Sequence, residues 1–186
     1  FLLLSFGFFL FCILWVLFLG FASPLLIFGG FVFGTWLGIS LILVSTTIGA
    51  TLLYYIVGIF FRDLINEKLT PKFYKLKEIF KKNGTFYFLC FRLIGGGGTP
   101  YAIQNVLPII FDLPIKKYAI ATFLGSAPSM FVTTALGSGI EKVIGKNETL
   151  SIFKVISSPE IYLPLIGFLI ILFATFFFKN FFFDKS

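Results

Sequence analysis

The sequence predicts an all-α polytopic membrane protein, with about four membrane-spanning helices and two facing re-entrant helical hairpins. Three observations carry this expectation. Of the 186 residues, 58% are hydrophobic, 20% aromatic and 12% charged, at a mean hydropathy of +1.02. Soluble domains carry about 25% charged residues, and a water-surrounded core of this size cannot hide 29 Phe. Residues 1–61 contain no charged side chain, which is too long for one crossing of about 20 helical residues. Two apolar stretches are interrupted by Gly and Pro, leaving pieces too short to cross.

The same composition excludes several chemistries. The chain has no His, so zinc sites that use His, Ser-His-Asp triads and His proton relays are absent, and no metal or cofactor is expected. Cys12 and Cys90 lie in apolar stretches and read as small hydrophobes, with no disulfide expected between them. The net charge of +7 comes from 15 basic and 8 acidic residues. A basic set this sparse is expected to orient the chain against anionic lipid, not to bind nucleic acid. The first 20 residues lack a basic leader region and do not read as a cleaved signal peptide.

Taken in order, residues 1–19 form the first span. In residues 22–35, Pro24 and the pair Gly29-Gly30 interrupt an apolar piece that reads as a hairpin dipping into the membrane; a tight surface turn is the alternative. Residues 39–61 form the second span and end at Arg62-Asp63. Residues 70–82 read as a basic amphipathic helix in the headgroup plane. Thr70 is placed to cap it, Pro71 to open it and Asn83-Gly84 to stop it. Leu69, Phe73, Leu76 and Phe80 share one face, and Lys72, Lys75, Lys77, Lys81 and Lys82 occupy the others; a solvated linker is the alternative.

Residues 85–111 read as the second re-entrant hairpin. Gly95, Gly96, Gly97, Gly98, Thr99 and Pro100 cannot continue an α-helix at ordinary cost. The flanks on either side would each be about 15 Å long, half a bilayer. Residues 118–136 form a third span with small or bent positions at Gly125 and Pro128. Residues 137–160 read as a polar loop, and residues 161–178 as the C-terminal span. With residues 62–83 inside, eleven basic residues lie on that side against three on the other, as the positive-inside rule asks. Hairpins entering from opposite faces give the layout of an inverted-repeat transporter.

Arg92 is the sharpest chemical signal, the one charge between Asn83 and Asp112. An Arg at the helix centre costs about 2.5–3.5 kcal/mol on insertion scales, so it calls for a partner, a wet cavity or an anionic ligand. A phosphate suits the planar fork of a guanidinium. The backbone N–H groups of Gly95, Gly96, Gly97 and Gly98, with Thr99, could add an anion nest. Gln104 and Asn105 on the second half-helix could meet a headgroup or simply cross-link the hairpin. A purely structural Arg92 bonded to hairpin carbonyls is the alternative. Gly34 and Gly38 form a small-xxx-small pair that reads as helix packing.

Three segments together resemble the VTT-domain, or DedA-like, superfamily, also called the SNARE-associated Golgi protein family. The first is Gly29-Gly30-Phe31-Val32-Phe33-Gly34-Thr35-Trp36-Leu37-Gly38 with Thr47-Ile48-Gly49-Ala50. The second is Phe91-Arg92-Leu93-Ile94 with Pro100-Tyr101 and Asn105. The third is Gly125-Ser126-Ala127-Pro128-Ser129-Met130-Phe131. The resemblance covers roughly residues 20–140 of a single integral membrane domain. It implies two facing re-entrant hairpins and a family linked to lipid scrambling, with bacterial members linked to the recycling of phosphorylated lipid carriers. Gly95 stands where family members usually carry Pro, and no acid precedes Asp63. Arg92 is therefore carried over as a functional residue and proton coupling is not. The expectation is a non-enzymatic transporter of phospholipids or lipid-linked phosphates in a bacterial inner membrane, with the homo-oligomeric state open. A non-transporting scaffold that binds lipid or partner proteins is the alternative.

Overall fold

Hydrocarbon offers no hydrogen bonds, so an apolar chain must satisfy its backbone internally, and helices do this within one segment. The computed structural model describes residues 1–18, 22–68, 71, 74–94, 101–145, 157 and 159–183. They form seven helices: α1 Leu2–Phe18, α2 Ser23–Phe60, α3 Arg62–Lys68, α4 Tyr74–Leu93, α5 Tyr101–Ile110, α6 Ile115–Gly145 and α7 Pro159–Phe183. No strand occurs among the described residues. Ser23–Phe60 and Ile115–Ile144 are long and apolar enough to cross a membrane. Trp36, Phe173, Leu3 and Phe18 are each more than 70% exposed. Burying one such side chain is worth about 1.5–3 kcal/mol in water, so these surfaces suit hydrocarbon.

The chain divides into two compact units. The first comprises residues 1–24 and 40–126. Its core is Val16 of α1, Ala50 of α2, Phe88 of α4, and Leu113, Tyr118 and Ala121 around the start of α6. A second cluster joins Ile65 of α3 to Ile109 and Ile110 of α5. Within α4, Asn83 leaves helical geometry at φ −154°, ψ 56°, which sets the basic segment apart from the apolar half-helix at the expected boundary. Phe80 stacks on Phe111 with centroids 4.0 Å apart. A Cβ on Gly84 would lie 3.3 Å from Leu113 Cδ1. The two ends of this stretch therefore lie side by side.

The basic helix is described from Tyr74, not from Pro71, which sits in a turn. Lys72, with the proposed cap Thr70, lies outside the described residues, as do the side chains of Lys75, Lys81 and Lys82. Of the expected apolar stripe, Leu69, Phe73 and the side chain of Leu76 also lie outside the described residues, and Phe80 packs on Phe111. Lys77 turns to Asp112 at 3.0 Å, and Arg62 reaches the same carboxylate at 2.7 Å. Asp112 holds a left-handed φ of 52°, a conformation Asp tolerates better than most residues.

The second unit comprises residues 25–39 and 127–186. Its hairpin turns at Gly34, with φ 74° and ψ 176°, a region essentially reserved for Gly. A Cβ on Gly38 would sit 2.7 Å from the carbonyl oxygen of Gly29. Nine residues of straight helix would separate the two by about 13.5 Å, so the chain folds back there. The break thus falls at Gly34, not at Pro24 or Gly29-Gly30. Gly30 instead lets the backbone of Thr134 approach, and a Cβ there would strike that carbonyl.

The expected loop at 137–160 is shorter than its polarity suggested. Helix α6 continues through residues 137–145, because Gly137 is pressed against the backbone of Ile27 and Val143 packs on Ile161. Packing of this kind holds a Gly-rich segment helical. Pro128 lies inside α6 without ending it. Helix α7 overruns the expected span at both ends, covering Pro159–Phe183.

Candidate functional site

The site is built in the first unit, where α4, α5 and the start of α6 enclose Arg92. Arg92 is 2% exposed. Its Nη1 donates to Gln104 Oε1 at 3.2 Å. Its Nη2 donates to Asn105 Oδ1 and, at 3.3 Å, to the Tyr118 hydroxyl. The guanidinium carbon lies over the rings of Phe88 and Tyr101, with ring centroids 5.2 Å and 5.0 Å away. Rings at this range attract a cation by about 0.5–2 kcal/mol.

The hairpin explains why these groups meet. Arg92 sits in the last turn of α4, and Gln104 and Asn105 near the start of α5. Thirteen residues of continuous helix would hold Arg92 and Asn105 about 20 Å apart. Helix α6 reaches the same point because Gly125 has no side chain: a Cβ there would lie 2.6 Å from Arg92 Cβ and 2.8 Å from the Leu89 carbonyl. Tyr118, one turn into α6, donates to Asn105 Oδ1 at 3.1 Å and lies 3.4 Å from the Ala50 carbonyl on α2. Its ring stacks on Tyr54 at 4.7 Å.

Electrostatically the cluster is unbalanced. The guanidinium is positive, yet Gln104, Asn105 and Tyr118 are all neutral, and no ion pair to Arg92 occurs among the described residues. Arg92 Nε and Asn105 Nδ2 have no hydrogen-bond acceptor among the described residues. A buried donor left unmade costs about 1–3 kcal/mol, and this site holds two of them. No group of three or more metal-ligating side chains occurs among the described residues.

Comparison with protein families matches the VTT domain over residues 21–139. The chain belongs to the VTT-domain family. That family is a membrane family, in keeping with the long apolar helices. No solved structure matches the chain. Of the residues expected at the VTT-domain site, Arg92, Gln104 and Asn105 come together. Gly95, Gly96, Gly97, Gly98, Thr99 and Pro100 lie outside the described residues. Gly29, Gly30, Gly34 and Gly38 build the other unit's hairpin, and Gly125 packs on Arg92 itself. Pro128 stands in the second unit's part of α6.

Sequence reasoning missed Tyr118, Tyr101 and Phe88. The signal available was a hydroxyl-bearing aromatic at the head of an apolar span, since a buried Tyr usually finds a polar partner. In a chain this rich in aromatics that signal does not stand out.

Proposed function

We propose that this VTT-domain protein moves phospholipids or lipid-linked phosphates between leaflets, without catalysis, with Arg92 taking the phosphate. The observation that supports this most is a fully buried cation whose partners among the described residues are all neutral. Transferring a lipid headgroup through hydrocarbon is opposed mainly by its desolvation. A pre-placed positive fork lowers that cost while the acyl tails stay in lipid. On this reading the two folded-back segments are re-entrant hairpins, α1, residues 35–60, α6 and α7 are the four spans, and residues 74–82 gather anionic headgroups at about 1 kcal/mol per Lys near the surface. The membrane is a bacterial inner membrane. With no acid before Asp63, movement runs passively down a gradient.

The test is a liposome assay with headgroup-labelled phospholipid and a membrane-impermeant quencher. Wild type should expose nearly the whole label, and Arg92→Leu should leave the inner leaflet protected. Arg92→Lys should also fail, because one ammonium cannot reproduce a fork that reaches Gln104, Asn105 and Tyr118 together. Full transfer by both folded variants would remove Arg92 from the mechanism. No transfer by wild type, with anionic or zwitterionic lipid and at pH 6 or pH 8, would favour a scaffold.

A further inference from the structure

A second cation of the first unit sits beside an open cavity that the Arg92 cluster does not use. The cavity has a volume of about 240 Å³ and is lined by Tyr54, Gly58 and Ile59 of α2, Arg62 of α3, Ile109 of α5 and Ile115 of α6. Its lining is graded. Ile59, Ile109 and Ile115 are apolar, whereas Arg62 stands at one edge with its side chain 55% exposed. Arg62 and Lys77 share the single carboxylate of Asp112, so these ion pairs set two cations against one anion. One Arg donor contacts that carboxylate, and a guanidinium has five.

Gly58 makes the cavity informative. A Cβ there would meet nothing within 4 Å, so no packing contact accounts for a Gly that costs about 1 kcal/mol against Ala in a helix. What the missing side chain leaves is space. An apolar wall with one surplus cation at its rim fits an anionic amphiphile, with its phosphate at Arg62 and its first methylenes against the isoleucines. Neither a purely apolar chain nor a free ion uses both halves of such a lining.

We infer that this cavity is a binding site for the phosphate headgroup and upper acyl chain of an anionic phospholipid, separate from Arg92. Tyr54 forms its inner wall. The Tyr54 ring stacks on Tyr118, which bonds to Arg92, and the Tyr54 hydroxyl donates to the Leu113 carbonyl at 2.6 Å. One stacked ring pair therefore stands between the rim site and the buried guanidinium.

The experiment uses the full chain in nanodiscs of phosphatidylcholine doped with a photoreactive phosphatidylglycerol or a photoreactive phosphatidylcholine, with crosslinks mapped by peptide mass spectrometry. Label from phosphatidylglycerol should fall on the peptides carrying Tyr54 and Ile115. Arg62→Gln should cut its preference over phosphatidylcholine about fivefold, the Boltzmann weight of one interfacial cation. Gly58→Leu puts bulk into the cavity from a Cβ that meets no protein atom within 4 Å, so it should keep the wild-type unfolding transition and lose the label. Excess glycerol phosphate in solution should leave the label in place. The assignment is overturned if Gly58→Leu labels like wild type, or if the two lipids label equally. It is also overturned if glycerol phosphate removes the label, which would make the ligand a free phosphate. Labelling is read without transport, so its failure is distinct from failure of the Arg92 reading.

Discussion

Replacing Gly125 by Ala should weaken the fold, although Ala is the better helix former. The new Cβ would stand 2.6 Å from Arg92 Cβ and 2.8 Å from the Leu89 carbonyl oxygen. Carbon atoms rest at about 3.5–4.0 Å, so α4 and α6 must part locally by about 1 Å. Neither obstacle is the tip of a flexible side chain: one is backbone and the other is the first atom of a buried residue. Overpacking of this kind costs about 1–3 kcal/mol. Set against the gain of about 1 kcal/mol for Ala over Gly in a helix, the net loss is up to about 2 kcal/mol.

Gly58→Ala is the matched comparison, because the same atom there enters open space and only the propensity gain of up to about 1 kcal/mol remains. Reversible unfolding in mixed micelles, followed by circular dichroism, should move the two variants in opposite directions, about 1–3 kcal/mol apart by the same two principles. Shifts of the same sign and size would refute the packing argument. They would also remove the reason given for how α6 reaches Arg92.

Three further outcomes follow from the same geometry. Tyr118→Phe keeps the stack on Tyr54 but removes the hydroxyl that meets Arg92, Asn105 and Ala50; it should cost about 1–3 kcal/mol in the same unfolding assay, and an unchanged transition would show that the hydroxyl bonds carry nothing. Gly34→Ala meets no atom within 4 Å, so its whole effect should be the backbone cost of φ 74°, about 1–3 kcal/mol; wild-type thermal stability would contradict the turn there. At Asp112 burial raises the carboxyl's affinity for protons, but the hydrogen bonds and charges of Arg62 and Lys77 outweigh it and hold the group below its ordinary value. A depressed folded value means stability that is present at neutral pH and lost as pH falls through that value, below about pH 4. Asp112→Asn should therefore lower the neutral melting temperature slightly, since exposed pairs contribute about 0–1 kcal/mol, with the difference vanishing in acid; a deficit that persists there would assign the effect to the turn's shape.

What was legible in the sequence is what charge and chain length dictate. Arg92 stood out as a lone cation in an apolar block, and its meeting with Gln104 and Asn105 followed from two half-length flanks around a break. Glycines were harder, because one residue type serves two opposite purposes. Gly34 turns the chain, whereas Gly30 and Gly137 keep helices going by letting a neighbouring backbone approach. Hydropathy does not separate these uses, which is why the break was expected earlier in residues 22–35 and α6 was expected to end near residue 136. Tyr118 and the cavity at Gly58 were illegible for a related reason. They depend on which helix faces meet, and an aromatic on an apolar helix looks the same on the lipid side as on the inside.

The environments of the two arginines bear on why a chain would keep a charge where hydrocarbon makes it costly. A buried ion pair often adds nothing over well-packed apolar residues of the same volume, and Arg92 has no ion pair among the described residues at all, so stability alone argues for its replacement. Neutral amides and hydroxyls fix the fork's position without cancelling its charge, and that arrangement is useful to an incoming anion. Arg62 differs: it is half exposed, and its charge is partly balanced by a carboxylate it shares with Lys77. A phosphate held at Arg62 would keep much of its water, and one held at Arg92 would exchange water for fixed N–H donors. The stack of Tyr54 on Tyr118 touches both environments. On the proposed reading, moving a headgroup between them would divide one large desolvation into two smaller ones, and the site that would have to supply the stronger attraction is the one whose charge the protein has left uncancelled.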